Sequence, residues 1–138
     1  MPIPHYDVVA GIIQHEGKIL CTQKGLGKHV YTSFKYEFPG GKVEPGETAD
    51  SALYREIKEE TRLEVQIGNR YHVLLHDYPD FRITLTAYLC RAAHIETLKL
   101  TEHIHHQWLY PAQLRELDWA AADWPIVEKI SGDTSLRP

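Results

Sequence analysis

Cysteine is scarce in this 138-residue chain. Cys21 and Cys90 are the only two, both in apolar, strand-like runs and without CxxC spacing. That pattern suits a reducing compartment better than a disulfide scaffold. Blocks of consecutive Lys or Arg are absent and the formal net charge is −4, so a general nucleic-acid-binding surface is not expected. An anionic partner would then need a bridging cation. No run approaches the ~18 consecutive apolar residues of a membrane helix. The opening MPIPHYDVVAGII lacks the basic segment and small-residue cleavage site of a signal peptide. The expectation is a cytoplasmic protein with neither a membrane nor a nucleic-acid polymer as partner. Repeats, low-complexity tracts and Pro/Ser-rich linkers are missing as well.

What is present is a folded-protein composition, 43% hydrophobic and 25% charged. The length suits one domain over residues 1–138, with a frayed tail from about 131. Tyr6–Gln14 and Lys18–Gln23 are β-rich runs joined by His15-Glu16-Gly17, the pattern of a hairpin. Residues 24–34 carry glycines and little period, which predicts a surface loop near the site. Phe38–Val43 reads as a short strand interrupted by glycines, and Thr48 as the N-cap of a helix reaching about Arg62. Val65–Tyr78 and Phe81–Ala92 predict two longer strands around the turn Pro79-Asp80. Gln107–Tyr110 predicts another strand, Pro111–Leu117 a small helix, and Pro125–Ile130 a final one. A sheet covered by helices, in the α/β class, follows.

The end of the long helix, YREIKEETRL, poses an electrostatic problem. Glu56, Glu59 and Glu60 are three and four residues apart and share one helical face. Such like-charge pairs destabilise a helix by roughly 0.2–0.5 kcal/mol each, and the helix C-terminus disfavours anions further. Carboxylate oxygens suit hard divalent cations such as Mg²⁺, which relieve the repulsion and are shared with substrate phosphates. The expectation is that only such an ion relieves it. Arg55 lies one turn before Glu59 and can orient a carboxylate. Gly40-Gly41 allows backbone to approach a metal because no Cβ intervenes.

The spacing is specific: Gly41, five residues, Glu47, seven residues, then Arg55-Glu56-Ile57-Lys58-Glu59-Glu60-Thr61-Arg62-Leu63. This resembles the Nudix box, Gly-x5-Glu-x7-Arg-Glu-U-x-Glu-Glu-x-Gly-U with U a bulky aliphatic. Arg62 alone departs from it, standing where the family has Gly. That departure puts the helix-end geometry in question and leaves the ligands in place. The likeness extends through DVVAGIIQHEGKILCTQK, YEFPGGKVEPGET, YPDFRITLTAYL and ADWPIVEKI. These resemble the MutT-type nucleoside triphosphate pyrophosphohydrolases, the branch acting on CTP especially.

The resemblance implies the Nudix α/β/α sandwich around a mixed sheet. It also implies hydrolysis of a small-molecule triphosphate to nucleoside monophosphate and pyrophosphate, with Mg²⁺ or Mn²⁺ required. By position, the Gly40 carbonyl, Glu56, Glu59 and Glu60 match the metal ligands, while Glu47 and Arg55 hold loop and helix in register. Glu102, six residues before Trp108, falls where another catalytic carboxylate is placed; an exposed loop glutamate explains the spacing equally. Glu56 and Glu102 are both candidates to take a proton. Lys42 and Lys24 stand as phosphate contacts or as solvated surface lysines. Asp123, two residues before Pro125, matches a base-recognising position, with Phe38 and Tyr78 as further base contacts. An ionised Asp is acceptor-only and suits the exocyclic amine of cytosine, whereas a protonated one can donate, which keeps purines including 8-oxo-guanine open. Asp123 also reads as a helix cap. His103, His105 and His106 form half a zinc site at most and read as a polar loop or strand end. Trp119 and Trp124 suit core or pocket wall. ADP-ribose or nucleotide-sugar hydrolysis and non-catalytic nucleotide sensing are the competing functions.

Overall fold

The computed structural model describes residues 3–136. Strand β1 (His5–His15) buries Val9 and Ile13 in one core layer and Ala10 and Ile12 in the other. Burial on both faces marks a central strand. The turn into β2 (Lys18–Lys24) is made by Glu16 and Gly17, both at positive φ, 50° and 81°. That is the twist a two-residue hairpin requires. β2 repeats the division, with Leu20 in the first layer and Ile19 and Cys21 in the second.

Five further strands complete the sheet: β3 (Tyr36–Glu37), β4 (Gly40–Lys42), β5 (Gln66–Asp77), β6 (Arg82–Arg91) and β7 (His103–Leu109). The seven strands form one sheet with the path β3-β2-β1-β6-β5, β4 joining β1 and β7 joining β2. β1 and β6 run parallel while the other pairs are antiparallel. Helix α1 (Ala49–Thr61) lays Ala52, Leu53 and Ile57 on the layer of Val9, Ile13 and Leu20. Helix α2 (Trp124–Gly132) and a 3-10 turn, Pro111–Glu116, cover the other layer with Ile126, Val127, Ile130 and Leu114 around Trp119. The result is the expected α/β/α sandwich around a mixed sheet. Cys21 and Cys90 are free and buried in different layers. Among the described residues, no helix is long and apolar enough to cross a membrane.

Several boundaries differ from expectation, each for a tertiary reason. Of the strand expected over 38–43 only Gly40–Lys42 forms, as β4 on β1, and a separate strand precedes it, β3 at Tyr36–Glu37 on β2. Pro39 has no amide to donate, so the ladder breaks there. Gly40 then passes so close to β1 that a Cβ on it would lie 1.9 Å from the Val9 carbonyl oxygen. The strand expected at 107 begins at His103 instead, because β2 pairs with it as far as Lys24↔His103. The run His-Ile-His-His has no apolar alternation to announce that pairing. The tail expected to fray from 131 continues α2 through Gly132 and adds a 3-10 turn at Thr134–Leu136. Its anchor is Asp133, which accepts a hydrogen bond from the Tyr71 hydroxyl at 2.8 Å. Residues 137–138 of that expected tail lie outside the described residues.

Candidate active site

Helix α1 is built to present its carboxylates. Thr48 caps its start, accepting the Ser51 amide at 3.2 Å. Arg55 is the hub: its Nε and Nη2 donate to the two oxygens of Glu47 at 2.7 and 2.8 Å, a bidentate clamp. The other Glu47 link is to the loop, Oε1 accepting the Glu44 amide at 2.9 Å. Arg55 and the Glu44 amide together hold the Glu47 carboxyl down at about 2. Arg55 Nη1 also donates to Glu56 at 2.9 Å and Glu59 at 3.3 Å. Part of the repulsion along this face is thus answered inside the protein, correcting the expectation that only a bound ion relieves it. A Cβ on Gly41 would lie 2.5 Å from the Glu56 carboxyl carbon, so only glycine leaves that carboxylate its place.

Arg62 closes the helix in the left-handed conformation, φ 66°, its amide donating to the Lys58 carbonyl at 3.0 Å. The geometry of a glycine cap is therefore kept by a residue with a side chain. The carbonyls beyond it are taken up by residues 99–101: Lys99 amide to Thr61 at 2.9 Å, Thr101 amide to Glu60 at 3.1 Å, and Thr101 hydroxyl to Glu59 at 2.7 Å. This docking delivers the next two residues, Glu102 and His103, to the cleft beside α1.

That cleft has a volume of about 450 Å³. Its lining includes Glu37, Gly40, Gly41, Glu56, Glu60, Glu102 and His103. Glu60 is 2% exposed and its carboxyl is pushed up to about 10, chiefly by burial, then by contact with Glu56 and the charges of Glu37 and Glu102. Its Oε2 has no hydrogen-bond partner among the described residues. A buried, orphaned carboxylate oxygen beside further carboxylates fits a divalent cation, which would restore its charged form. Glu59 is exposed and stands outside the cleft lining, its side chain turned to Arg55. Glu102 is exposed at the rim. Glu47 and Arg55 sit behind the lining, as residues that hold it. A roomier hollow of about 590 Å³ lies around Gln14, Arg91 and Leu136, but none of the α1 carboxylates lines it.

The same cleft is also lined by Asp123, Phe38, Tyr78, Phe81, Lys24 and Lys42. Asp123 precedes α2 but makes no capping hydrogen bond. Its carboxyl turns inward and accepts the Phe38 amide at 3.0 Å, which settles the choice against the helix cap. Burial, and then the charge of Glu37, raise its pKa well above the usual range, which favours the neutral acid. Tyr78 is buried beside it, its hydroxyl accepting the Ala122 amide at 3.1 Å. Tyr31 reaches over from the 25–35 loop, stacked on Tyr78 at 5.4 Å and donating to Asp80 at 2.8 Å. Lys42 lies across the Tyr6 ring, 3.8 Å from its centroid. Trp119 packs in the core against Phe38.

Spacing along the chain does not single out Glu37, Phe81 or the separate place of His103 as cleft residues. Glu37 sits directly before Phe38-Pro39-Gly40 and carries no signal of its own. His103 was grouped with His105 and His106, yet its ring is buried against Glu37 and Glu60 while His105 is exposed. The three histidines do not converge.

Comparison with known proteins agrees with this geometry. The profile of the NUDIX domain matches residues 4–130. The chain is 33% identical over 132 residues to the CTP pyrophosphohydrolase of Escherichia coli K12, covering 96% of each. It is 32% identical over 124 residues to the 8-oxo-dGTP diphosphatase of the same organism, covering 89% of this chain and 94% of that one. Its fold is similar to the solution structure of the MutT protein, a Nudix hydrolase, from methicillin-resistant Staphylococcus aureus 252. There the TM-score is 0.72, at 38% identity, covering 94% of this chain and 98% of that one.

Proposed function

Because this chain belongs to the Nudix hydrolase family, we propose that its cleft converts nucleoside triphosphates to the monophosphate and pyrophosphate, favouring cytosine nucleotides such as CTP and dCTP. The observation that carries the reading is one cleft lined by Glu56, Glu60 and Gly40 together with a buried Asp123. The Gly40 carbonyl, Glu56, Glu59 and Glu60 would hold Mg²⁺ or Mn²⁺. When bound, the cation supplies positive charge against the triphosphate and lowers the pKa of a water. Lys24 and Lys42 add charge along the phosphates. Arg55 and Glu47 keep Glu56 aimed. Glu56 is engaged by Arg55, so Glu102 on the rim is left to accept the water's proton. A reducing, cytoplasmic setting belongs to the same proposal, since both thiols are free.

Base choice turns on the neutral Asp123. The Oδ2 that accepts the Phe38 amide retains a second lone pair for an exocyclic amine, while the other oxygen carries a proton to donate. Cytosine offers that pair, an N4 amine beside an N3 acceptor; uracil presents the reverse. Phe38, Tyr78 and Phe81 supply apolar surface for the ring. A second reading, sanitising of 8-oxo-dGTP, is favoured by the same neutral acid, because a donor suits the purine O6 acceptor. The relative at 32% identity points the same way.

A Mg²⁺-dependent screen with product identification tests both. CTP, dCTP and their 5-methyl forms should yield monophosphate and pyrophosphate faster than UTP does. Preferential turnover of 8-oxo-dGTP moves the second reading into first place. Cleavage of ADP-ribose or nucleotide sugars alone, or binding without turnover, overturns the proposal.

A further inference from the structure

We propose that Glu37, Glu60 and His103 form a second divalent-cation site on the inner wall of the cleft, suited to a borderline ion of the Zn²⁺ class rather than to Mg²⁺. One ligand atom from each lies within 4.8 Å of the others. His103 Nε2 stands 3.0 Å from Glu37 Oε2 and 3.8 Å from Glu60 Oε1. Ligands about 2.1 Å from a tetrahedral ion are roughly 3.4 Å apart, and the two separations bracket that value. A hydrogen bond between His103 and Glu37 accounts for the shorter contact alone. At 3.8 Å the Glu60 oxygen is beyond hydrogen-bond range, and a cation among the three atoms draws in both carboxylates.

Burial marks the place as built. The side chains of Glu60 and His103 are each 2% exposed, and Glu60 Oε2 is buried without a partner among the described residues. Desolvating such groups without compensation is costly. An imidazole with two carboxylates is a mixed N/O donor set, which selects Zn²⁺ over Mg²⁺. Three protein ligands leave a fourth position open, and all three residues line the cleft. Glu60 would be shared with the proposed Mg²⁺ ligands, so the two ions would be neighbours across one carboxylate. The inference rests on the same cleft as the proposed function but on a different donor set.

Nitrogen-15 spectra of the histidine rings read the site directly. In the full chain saturated with Mg²⁺, one equivalent of Zn²⁺ should shift a single imidazole, and that signal should be missing from His103→Gln. Calorimetry should show Zn²⁺ affinity falling about tenfold or more in His103→Gln and in Glu37→Gln. Glu59→Gln, which removes a proposed Mg²⁺ ligand outside the trio, should retain Zn²⁺ binding while losing its Mg²⁺ response. Failure of the Mg²⁺ reading is thereby kept apart from failure of this one. Zn²⁺ affinity unchanged in both trio variants, or shifts confined to His105 and His106, overturns the site. Should His103→Gln not fold, Glu37→Gln at its half-buried position decides alone.

Discussion

Thr101 donates its hydroxyl to the backbone carbonyl of Glu59 at 2.7 Å. With the Lys99 and Thr101 amides on the Thr61 and Glu60 carbonyls, that contact joins the end of α1 to the segment carrying Glu102 and His103, and it occupies a carbonyl that a helix terminus leaves open. Thr101→Val keeps the shape and removes the donor. The expected cost is about 0.5–1.5 kcal/mol of stability, read from urea unfolding, with turnover reduced because Glu102 loses one of its anchors. Unchanged turnover would show that the two backbone contacts suffice to hold Glu102.

Glu59→Gln and Glu60→Gln should each lower turnover by orders of magnitude. Their stability effects should differ. Glu60 is buried against other carboxylates, so its neutral replacement should raise the melting temperature of the metal-free protein at pH 8. Glu59 is exposed and paired with Arg55, and its replacement should change stability little. Near-normal activity of both at saturating Mg²⁺ would remove the metal assignment.

Mg²⁺ should raise the melting temperature in proportion to the logarithm of its concentration, because the unfolded chain cannot present convergent carboxylates. Glu56→Lys should abolish the increment. A response that survives this substitution would place the ion elsewhere.

Asp123 offers a pH test with a definite sign. Its native pKa is raised above the usual 3.8, so the native state binds the extra proton. Stability from this group is complete below that value and is lost as pH rises toward the native pKa. Asn mimics the neutral acid at every pH. The melting temperature of wild type relative to Asp123→Asn should therefore fall between pH 4 and pH 8. Asn also supplies a donor beside an acceptor, so it should preserve the CTP-over-UTP ratio, which Asp123→Leu should erase. A constant difference in melting temperature would mean that the carboxyl is ionised.

Arg62 holds φ at 66°, a conformation that costs a residue with a Cβ about 1 kcal/mol more than glycine. Arg62→Gly should stabilise the protein by about that amount in chemical denaturation, leaving kcat unchanged. Destabilisation would show that the arginine side chain contributes an interaction exceeding the strain.

Periodicity and spacing along the chain determined the layered sheet, the long helix capped by Thr48, and the acidic face of Glu56, Glu59 and Glu60, because each is a property of near neighbours. That Glu47 and Arg55 hold loop and helix in register was implied by their places in the Nudix box, and the bidentate clamp bears it out. Tertiary structure alone decided the rest. Whether Asp123 caps its helix or faces the cleft depends on the Phe38 amide, 85 positions away in the chain. His103 meets Glu37 only because β2 pairs with both β3 and β7. Burial of Glu60 and exposure of Glu59 arise from packing around α1, to which adjacent residues of one type give no clue. Contacts between distant segments follow from which strands pair and how layers close, and those are properties of the whole fold rather than of any stretch within it.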